Sequence, residues 1–185
     1  MSRPAIFLDR DGVLIENVAT YVRTWDDVRF LPGVFEGLRR LRATPFAVVL
    51  VTNQAVVGRG IITAESALAI NARVVAEMTA QGACIDAAYV CLHSPAEMCA
   101  CRKPAPGMLL RAQAELGLEL SASYLVGDAV SDMRAADAAG VRGILVRTGR
   151  GAQQAALLNG RNGARIIVED LPAALDHILT GVAQS

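Results

Sequence analysis

The chain has 185 residues, 18 of them basic and 18 acidic, and 53% are hydrophobic. Zero net charge leaves no basic excess with which to grip nucleic-acid phosphates, and no apolar run approaches the ~18 residues of a transmembrane helix. The length suits a single domain, 1–185, with a substantial core.

The opening MSRPAIFLDRDG breaks into charge by position 9, unlike a signal peptide, so the chain is expected to be soluble and cytoplasmic. Strands are predicted at Ala5–Asp9, Phe46–Asn53, Ala87–Leu92, Tyr124–Asp128, Gly143–Arg147 and Arg165–Val168. Helices are predicted between them, near 33–43, 63–80, 106–117, 131–139 and 172–180. Thr63 supplies one helix start, Ala129 or Ser131 another, and Gly140 ends the second of these. This alternation predicts an α/β fold with a parallel sheet covered on both faces. The continuous apolar run FAVVLV fits such a strand.

Ligands of such sheets bind at the carboxyl ends of the strands. Three apolar runs finish there in reactive groups: IFLD at Asp9, VVLVTN at Thr52 and Asn53, and YLVGD at Asp128. A fourth, YVCLH, runs into a cysteine-rich loop. Asp9, Asp11, Asp128 and Asp132 together make a hard, oxygen-rich site suited to Mg²⁺ and a phosphate. In that setting Asp9 can attack a phosphoryl group and Asp11 can protonate the leaving oxygen. Lys103 can balance charge, and Thr52 and Asn53 can donate hydrogen bonds. Singly, a DxD is a solvated turn and a TN a strand cap. Four such features in order, all at strand ends, favour a site.

DRDGV (9–13), VTNQ (51–54), RKP (102–104) and GDAVSD (127–132) resemble the four ordered motifs of the haloacid dehalogenase superfamily of phosphohydrolases. The resemblance covers nearly the whole chain. It implies a Rossmann-like three-layer sandwich with a mainly parallel central sheet, and an aspartyl-phosphate intermediate on Asp9. It implies Asp11 as general acid and base. Mg²⁺ would be held by the Asp9 side chain, the Asp11 backbone carbonyl and Asp128. Thr52 and Lys103 would hold the phosphoryl group, with Asp132 supporting metal and lysine from behind.

Cys91-x-His93-x5-Cys99-x-Cys101 gathers three of the four cysteines and one of the two histidines within eleven residues. In a reducing compartment such clustering points to metal before disulfide. Three sulfurs and an imidazole suit a closed, structural Zn²⁺ site that leaves no position for activating water. The expectation is that zinc folds a loop and places Arg102 and Lys103, while magnesium serves the chemistry elsewhere. Cys84 is expected in the core and His177 at the surface.

The zinc loop followed by CRKPAPGML resembles the D-glycero-D-manno-heptose 1,7-bisphosphate phosphatases and, next, the histidinol-phosphate phosphatases. Both groups lack a large cap domain. The closer resemblance implies removal of the 7-phosphate of the heptose bisphosphate, with contacts at Thr52, Asn53, Gln54, Arg102 and Lys103, and the enzyme is expected to act as a monomer. The chain departs from that pattern where Ala55 and Val56 replace a hydroxyl and a glycine, and where Ala129 replaces a lysine. Short loops at 15–28, 54–62 and the zinc loop should form the lid. Arg59, between two glycines, is a candidate for a second phosphate, whereas Arg23 and Arg29 are read as surface residues. Histidinol phosphatase, DNA 3′-phosphatase and a non-catalytic zinc-loop binding module are the alternatives. Few aromatic residues count against nucleic acid.

Overall fold

The computed structural model describes residues 2–158 and 166–182. The strands are β1 (Ala5–Leu8), β2 (Ala47–Asn53), β3 (Ala87–Cys91), β4 (Tyr124–Gly127), β5 (Arg142–Val146) and β6 (Ile166–Val168). The helices are α1 (Val34–Arg40), α2 (Ala55–Gly58), α3 (Ala64–Ala80), α4 (Gly107–Leu116), α5 (Val130–Ala139), α6 (Gly151–Leu158) and α7 (Leu171–Val182). All six predicted strands form within a residue or so of their expected bounds. Arg165, where the last was expected to begin, lies outside the described residues.

The sheet is parallel throughout, in the order β3-β2-β1-β4-β5-β6. That is the Rossmann order, and strand order reverses between β1 and β4. Alternate residues of each central strand feed opposite cores. Ile6 and Leu8 join α1, α3 and α7 on one face, through Leu38, Val74, Met78, Leu175 and Ile178. Ala5 and Phe7 join α4 and α5 on the other, through Leu109, Ala112, Ala135 and Ala136. Burial on both faces is why these strands read as unbroken apolar runs. Among the described residues no helix is long and apolar enough to cross a membrane.

The helix ends follow local chemistry. Thr63 Oγ1 accepts from the Ser66 N–H at 3.1 Å and starts α3. Ala129 is the residue that starts α5, and its N–H donates to the Asp132 carboxylate at 3.0 Å. Gly140, at φ 69°, ends that helix. Two helices were not expected. The short α2 forms inside the predicted 54–62 lid loop. The segment that leads into α6, TGRG at 148–151, is glycine-rich, so it read as loop. Gly151 is required there because a Cβ would sit 1.6 Å from the Val146 carbonyl oxygen.

Gly151→Ala should therefore push α6 off the sheet. The expected loss is about 1–3 kcal/mol of stability, as for other overpacked sites, measured by urea denaturation. A variant as stable as the parent would show that the close approach relaxes freely.

Candidate active site

The strand-order reversal puts the end of β1 beside the end of β4, and Asp9 and Asp128 are the residues that follow those ends. Their ligand oxygens lie with one from Asp132 within 4.8 Å of one another. Three buried carboxylates so close need positive charge. Lys103, itself buried, supplies it: its Nζ lies 2.9 Å from Asp9 Oδ1 and 2.7 Å from Asp132 Oδ1, and donates to the Val51 carbonyl at 2.8 Å. The ammonium thus makes two buried ion pairs and one hydrogen bond. Burial alone would lower the pKa of this lysine, but the charges of Asp132 and Asp9 outweigh it and hold the pKa above its ordinary value. Burial pushes Asp132 up to about 6, with Lys103 opposing. Burial and then the negative Asp9 raise Asp128, and Arg150 opposes them.

Asp11 was expected to join this cluster from an extended segment. The strand instead stops at Leu8, and the chain turns as the Leu14 and Ile15 N–H groups close on the Arg10 carbonyl. The Asp11 carboxylate is held apart. Arg10 grips both its oxygens, with Nη2 at 3.0 Å from each, and Gln54 Nε2 donates to Oδ2 at 3.0 Å. Arg10 is fully buried and reaches on to Gln54 Oε1 at 2.9 Å and Asn71 Oδ1 at 3.0 Å. The sequence reading missed Arg10. An arginine between two acids directly after an apolar strand was the available signal.

A cavity of about 410 Å³ opens over Asp9 and Asp11, and Asn53, Gln54, Arg59, Arg102, Lys103 and Arg150 are among its walls. Three segments expected as lid loops contribute to it, the first through Asn17, Val18, Ala19, Tyr21 and Val22, the second through Gln54, Ala55 and Arg59, and the third through Arg102. Arg59 lies over the Tyr21 ring at 5.5 Å, and Tyr21 has the left-handed φ of 66°. Thr52 is buried and does not line the cavity; its Oγ1 accepts from Gln54 Nε2 at 2.8 Å. The Asn53 amide pairs with the Lys103 backbone, donating to its carbonyl at 2.9 Å and accepting its N–H at 3.1 Å. Arg23 and Arg29 are exposed, as expected.

Cys91, His93, Cys99 and Cys101 converge, with their ligand atoms within 4.8 Å of one another. Measured edges run from 3.3 Å (Cys91 to Cys101, and His93 Nδ1 to Cys101) to 3.6 Å (Cys91 to Cys99). A tetrahedral zinc with ~2.3 Å Zn–S bonds would give edges of about 3.5–3.8 Å, so the donor set fits that ion. Burial pushes the Cys91 thiol up to about 12. Three thiolates this close need a cation to be deprotonated together. Cys84 is exposed, contrary to the core position expected for it; it lies in the turn before β3, outside the sheet. His177 is exposed.

Comparison with known proteins agrees with this geometry. The HAD-hydrolase-like family model matches residues 100–174. A D-glycero-beta-D-manno-heptose-1,7-bisphosphate 7-phosphatase of Photorhabdus laumondii is 38% identical, covering 95% of this chain and 96% of the relative. The Yersinia pestis protein of the same name is 44% identical over 80% of this chain and 83% of its own. The chain belongs to this phosphatase family, within the haloacid dehalogenase-like hydrolases. The crystal structure of the D,D-heptose 1,7-bisphosphate phosphatase from B. bronchiseptica, complexed with magnesium and phosphate, superposes with a TM-score of 0.89 at 34% identity, covering 96% of this chain and 99% of that one.

One departure from the family pattern has a structural counterpart. Ala129 places no cation after Asp128, but Arg150 comes from the loop after β5. Its N–H donates to Asp128 Oδ2 at 2.9 Å, and its Nη2 lies 3.2 Å from Oδ1. No motif in the sequence marked Arg150 for this position.

Lys103→Met should leave Asp9 and Asp132 buried without their cation. Breaking such a pair should cost about 3–5 kcal/mol in chemical denaturation. A loss below about 1 kcal/mol, the scale of a surface ion pair, would contradict the pairing.

Proposed function

We propose that this phosphatase removes the 7-phosphate of D-glycero-beta-D-manno-heptose 1,7-bisphosphate, with Asp9 as nucleophile. The carrying observation is the placement of Asp9 at the strand-order reversal, 2.9 Å from a buried lysine and under a cation-lined cavity, in a chain whose relatives act on that sugar. Asp9 Oδ1 is already engaged by the Arg10 N–H at 2.7 Å and by Lys103. Among the described residues no donor reaches Oδ2, which is therefore the oxygen to attack phosphorus. The P–O bond to the sugar breaks as the aspartyl bond forms, and Asp11 gives the departing oxygen its proton. Asp11 then takes a proton from the water that hydrolyses the acyl phosphate, releasing phosphate and restoring Asp9.

Asp9 and Asp128 would hold Mg²⁺. The carboxylate oxygens are the hard donors that ion prefers, and with its carboxylate held by Arg10, Asp11 would contribute through its backbone carbonyl. Mg²⁺ bound there supplies charge neutralisation that lets a carboxylate approach a phosphate dianion. Asp132 orients Lys103. Thr52, beneath the cavity floor, orients Gln54, and Gln54 and Asn53 line the phosphoryl pocket. Arg59 and Arg102 offer charge for a second phosphate.

The cation excess also argues against histidinol phosphate, which carries an amine. Glu97, the zinc-loop acid, does not line the cavity and instead accepts from the Ser94 N–H at 2.5 Å. Zn²⁺ on Cys91, His93, Cys99 and Cys101 would be structural, the four donors closing its shell. We further assign residues 1–185 to one catalytic domain, acting as a cytoplasmic monomer.

Asp9→Asn should abolish phosphate release from the heptose bisphosphate by at least roughly a thousandfold, given the weight of a lost nucleophile, while zinc content and fold persist. Turnover near that of the parent would remove Asp9 from the mechanism, and a preference of the parent for histidinol phosphate would overturn the substrate. Cys99→Ser should lose zinc by elemental analysis and lower turnover as Arg102 and Lys103 lose their placement. Full zinc occupancy in that variant would show that the ligand set is wrong.

A further inference from the structure

Arg150 belongs to none of the four motifs, yet it engages the carboxylate of Asp128 more extensively than any other described residue. The carboxylate is wedged between two turns: a Cβ on Gly12 would lie 2.2 Å from Asp128 Oδ2, and one on Gly149 would lie 2.4 Å from it. Thr148 Oγ1 donates to the Gly12 carbonyl at 2.6 Å and staples the loop after β5 to the loop after β1. Asp128 itself therefore has little room to move. Oδ2 is crowded by Asn17 Nδ2 at 3.3 Å, the Arg150 N–H at 2.9 Å and Arg150 Nε at 3.4 Å. Among the described residues Oδ1 takes only the Arg150 guanidinium, at 3.2 Å. The backbone of Arg150 is rooted by the staple, but its side chain is 54% exposed and lines the cavity. A long, half-exposed guanidinium on a fixed carboxylate is the movable partner of the pair.

We propose that Arg150 exchanges partners during the catalytic cycle: it shares Asp128 with the divalent cation in competition, and when displaced from Asp128 it binds a phosphoryl oxygen in the cavity. This rests on the reading of Asp128 as a ligand of Mg²⁺. The charges set the sign. Asp9, Asp128 and Asp132 face Lys103 and Arg150, three negative charges against two positive. Removing the arginine makes the site more negative and frees Oδ1, so a divalent cation gains. The same change removes a cation from the cavity wall, so a phosphate loses. A merely structural role for Arg150 would weaken both ligands together.

The test is calorimetry on the purified, zinc-replete protein at fixed ionic strength. Mg²⁺ is titrated first; inorganic phosphate is titrated next at saturating Mg²⁺. Arg150→Met should bind Mg²⁺ roughly tenfold more tightly, the scale expected for one unit charge acting on a divalent ion a few ångströms away in a wet site. It should bind phosphate severalfold more weakly, and Arg150→Lys should fall between it and the parent on both axes. If Arg150→Met binds Mg²⁺ no more tightly than the parent, or phosphate no more weakly, the exchange is wrong. Asp128→Asn separates the two ideas. If the parent binds Mg²⁺ and Asp128→Asn does not, the ligand reading stands and the arginine variants alone decide the exchange. If Asp128→Asn binds Mg²⁺ as the parent does, or the parent binds none, the ligand reading fails and the exchange fails with it.

Discussion

The Lys103 ammonium is the constraint on which the rest of the site depends. A buried lysine is tolerable only when its charge is paired and its hydrogens are used. Here the three acceptors come from three parts of the chain: the residue after β1, the backbone of β2 and the first turn of α5. The lysine enters from a fourth, two residues after Cys101. Asn53 fixes its backbone with a paired amide contact. Close packing backs this up, since a Cβ on Gly127 would meet the Asp132 side chain at 2.3 Å. Asp9, the proposed nucleophile, the sheet edge, a helix start and the cysteine loop are thus located by one charge.

The same chemistry separates two carboxylates that stand two residues apart. Asp9 faces a buried ammonium and two other acids. Asp11 sits in the fork of Arg10, with Gln54 on one oxygen, and its side chain is 24% exposed. A pair of acids serves two roles when its surroundings differ in this way. Arg10 makes that difference, and through Asn71 on α3 it ties the Asp11 side to the helical layer. Gln54 joins both halves, since it touches Arg10, Asp11 and Thr52. A change at Gln54 would disturb Asp11 without touching Lys103.

The strands and the chemical residues at their ends were legible because burial on both faces forces apolar runs, and a polar residue ending such a run stands out. The convergence of Cys91, His93, Cys99 and Cys101 was legible from composition and spacing alone. What escaped was tertiary. Arg10 and Arg150 look like ordinary charges in the chain, and only the approach of α3 to one and of the β4 end to the other gives them partners. The start of α6 escaped because its glycine is dictated by the Val146 carbonyl, a contact no local pattern records. Cys84 misled because cysteine is usually buried, whereas this one lies in the turn that precedes an edge strand.

Much of the cavity wall is carried on loops, and the loops are tied to one another. Asn53 lies beside Cys91 in the β2–β3 register. Past that point the Gln54 N–H donates to the Cys91 carbonyl at 2.7 Å, and the Gly58 N–H to that of Leu92 at 2.9 Å. Gly58 leaves no room for a side chain, because a Cβ would meet the Ser94 nitrogen at 2.3 Å. The segment that carries Arg59 therefore rests directly on the cysteine loop, as Arg102 does by donating to the His93 carbonyl at 3.3 Å. Tyr21 holds Arg59 from the other side and accepts a strained backbone to do so, a cost of order 1–3 kcal/mol that the packing must offset. Ordering the cysteine loop thus fixes two cavity-lining arginines as well as the lysine behind them. Among the described residues no inserted cap domain covers the cavity, and that loop is an element through which the shape and charge of its wall are set.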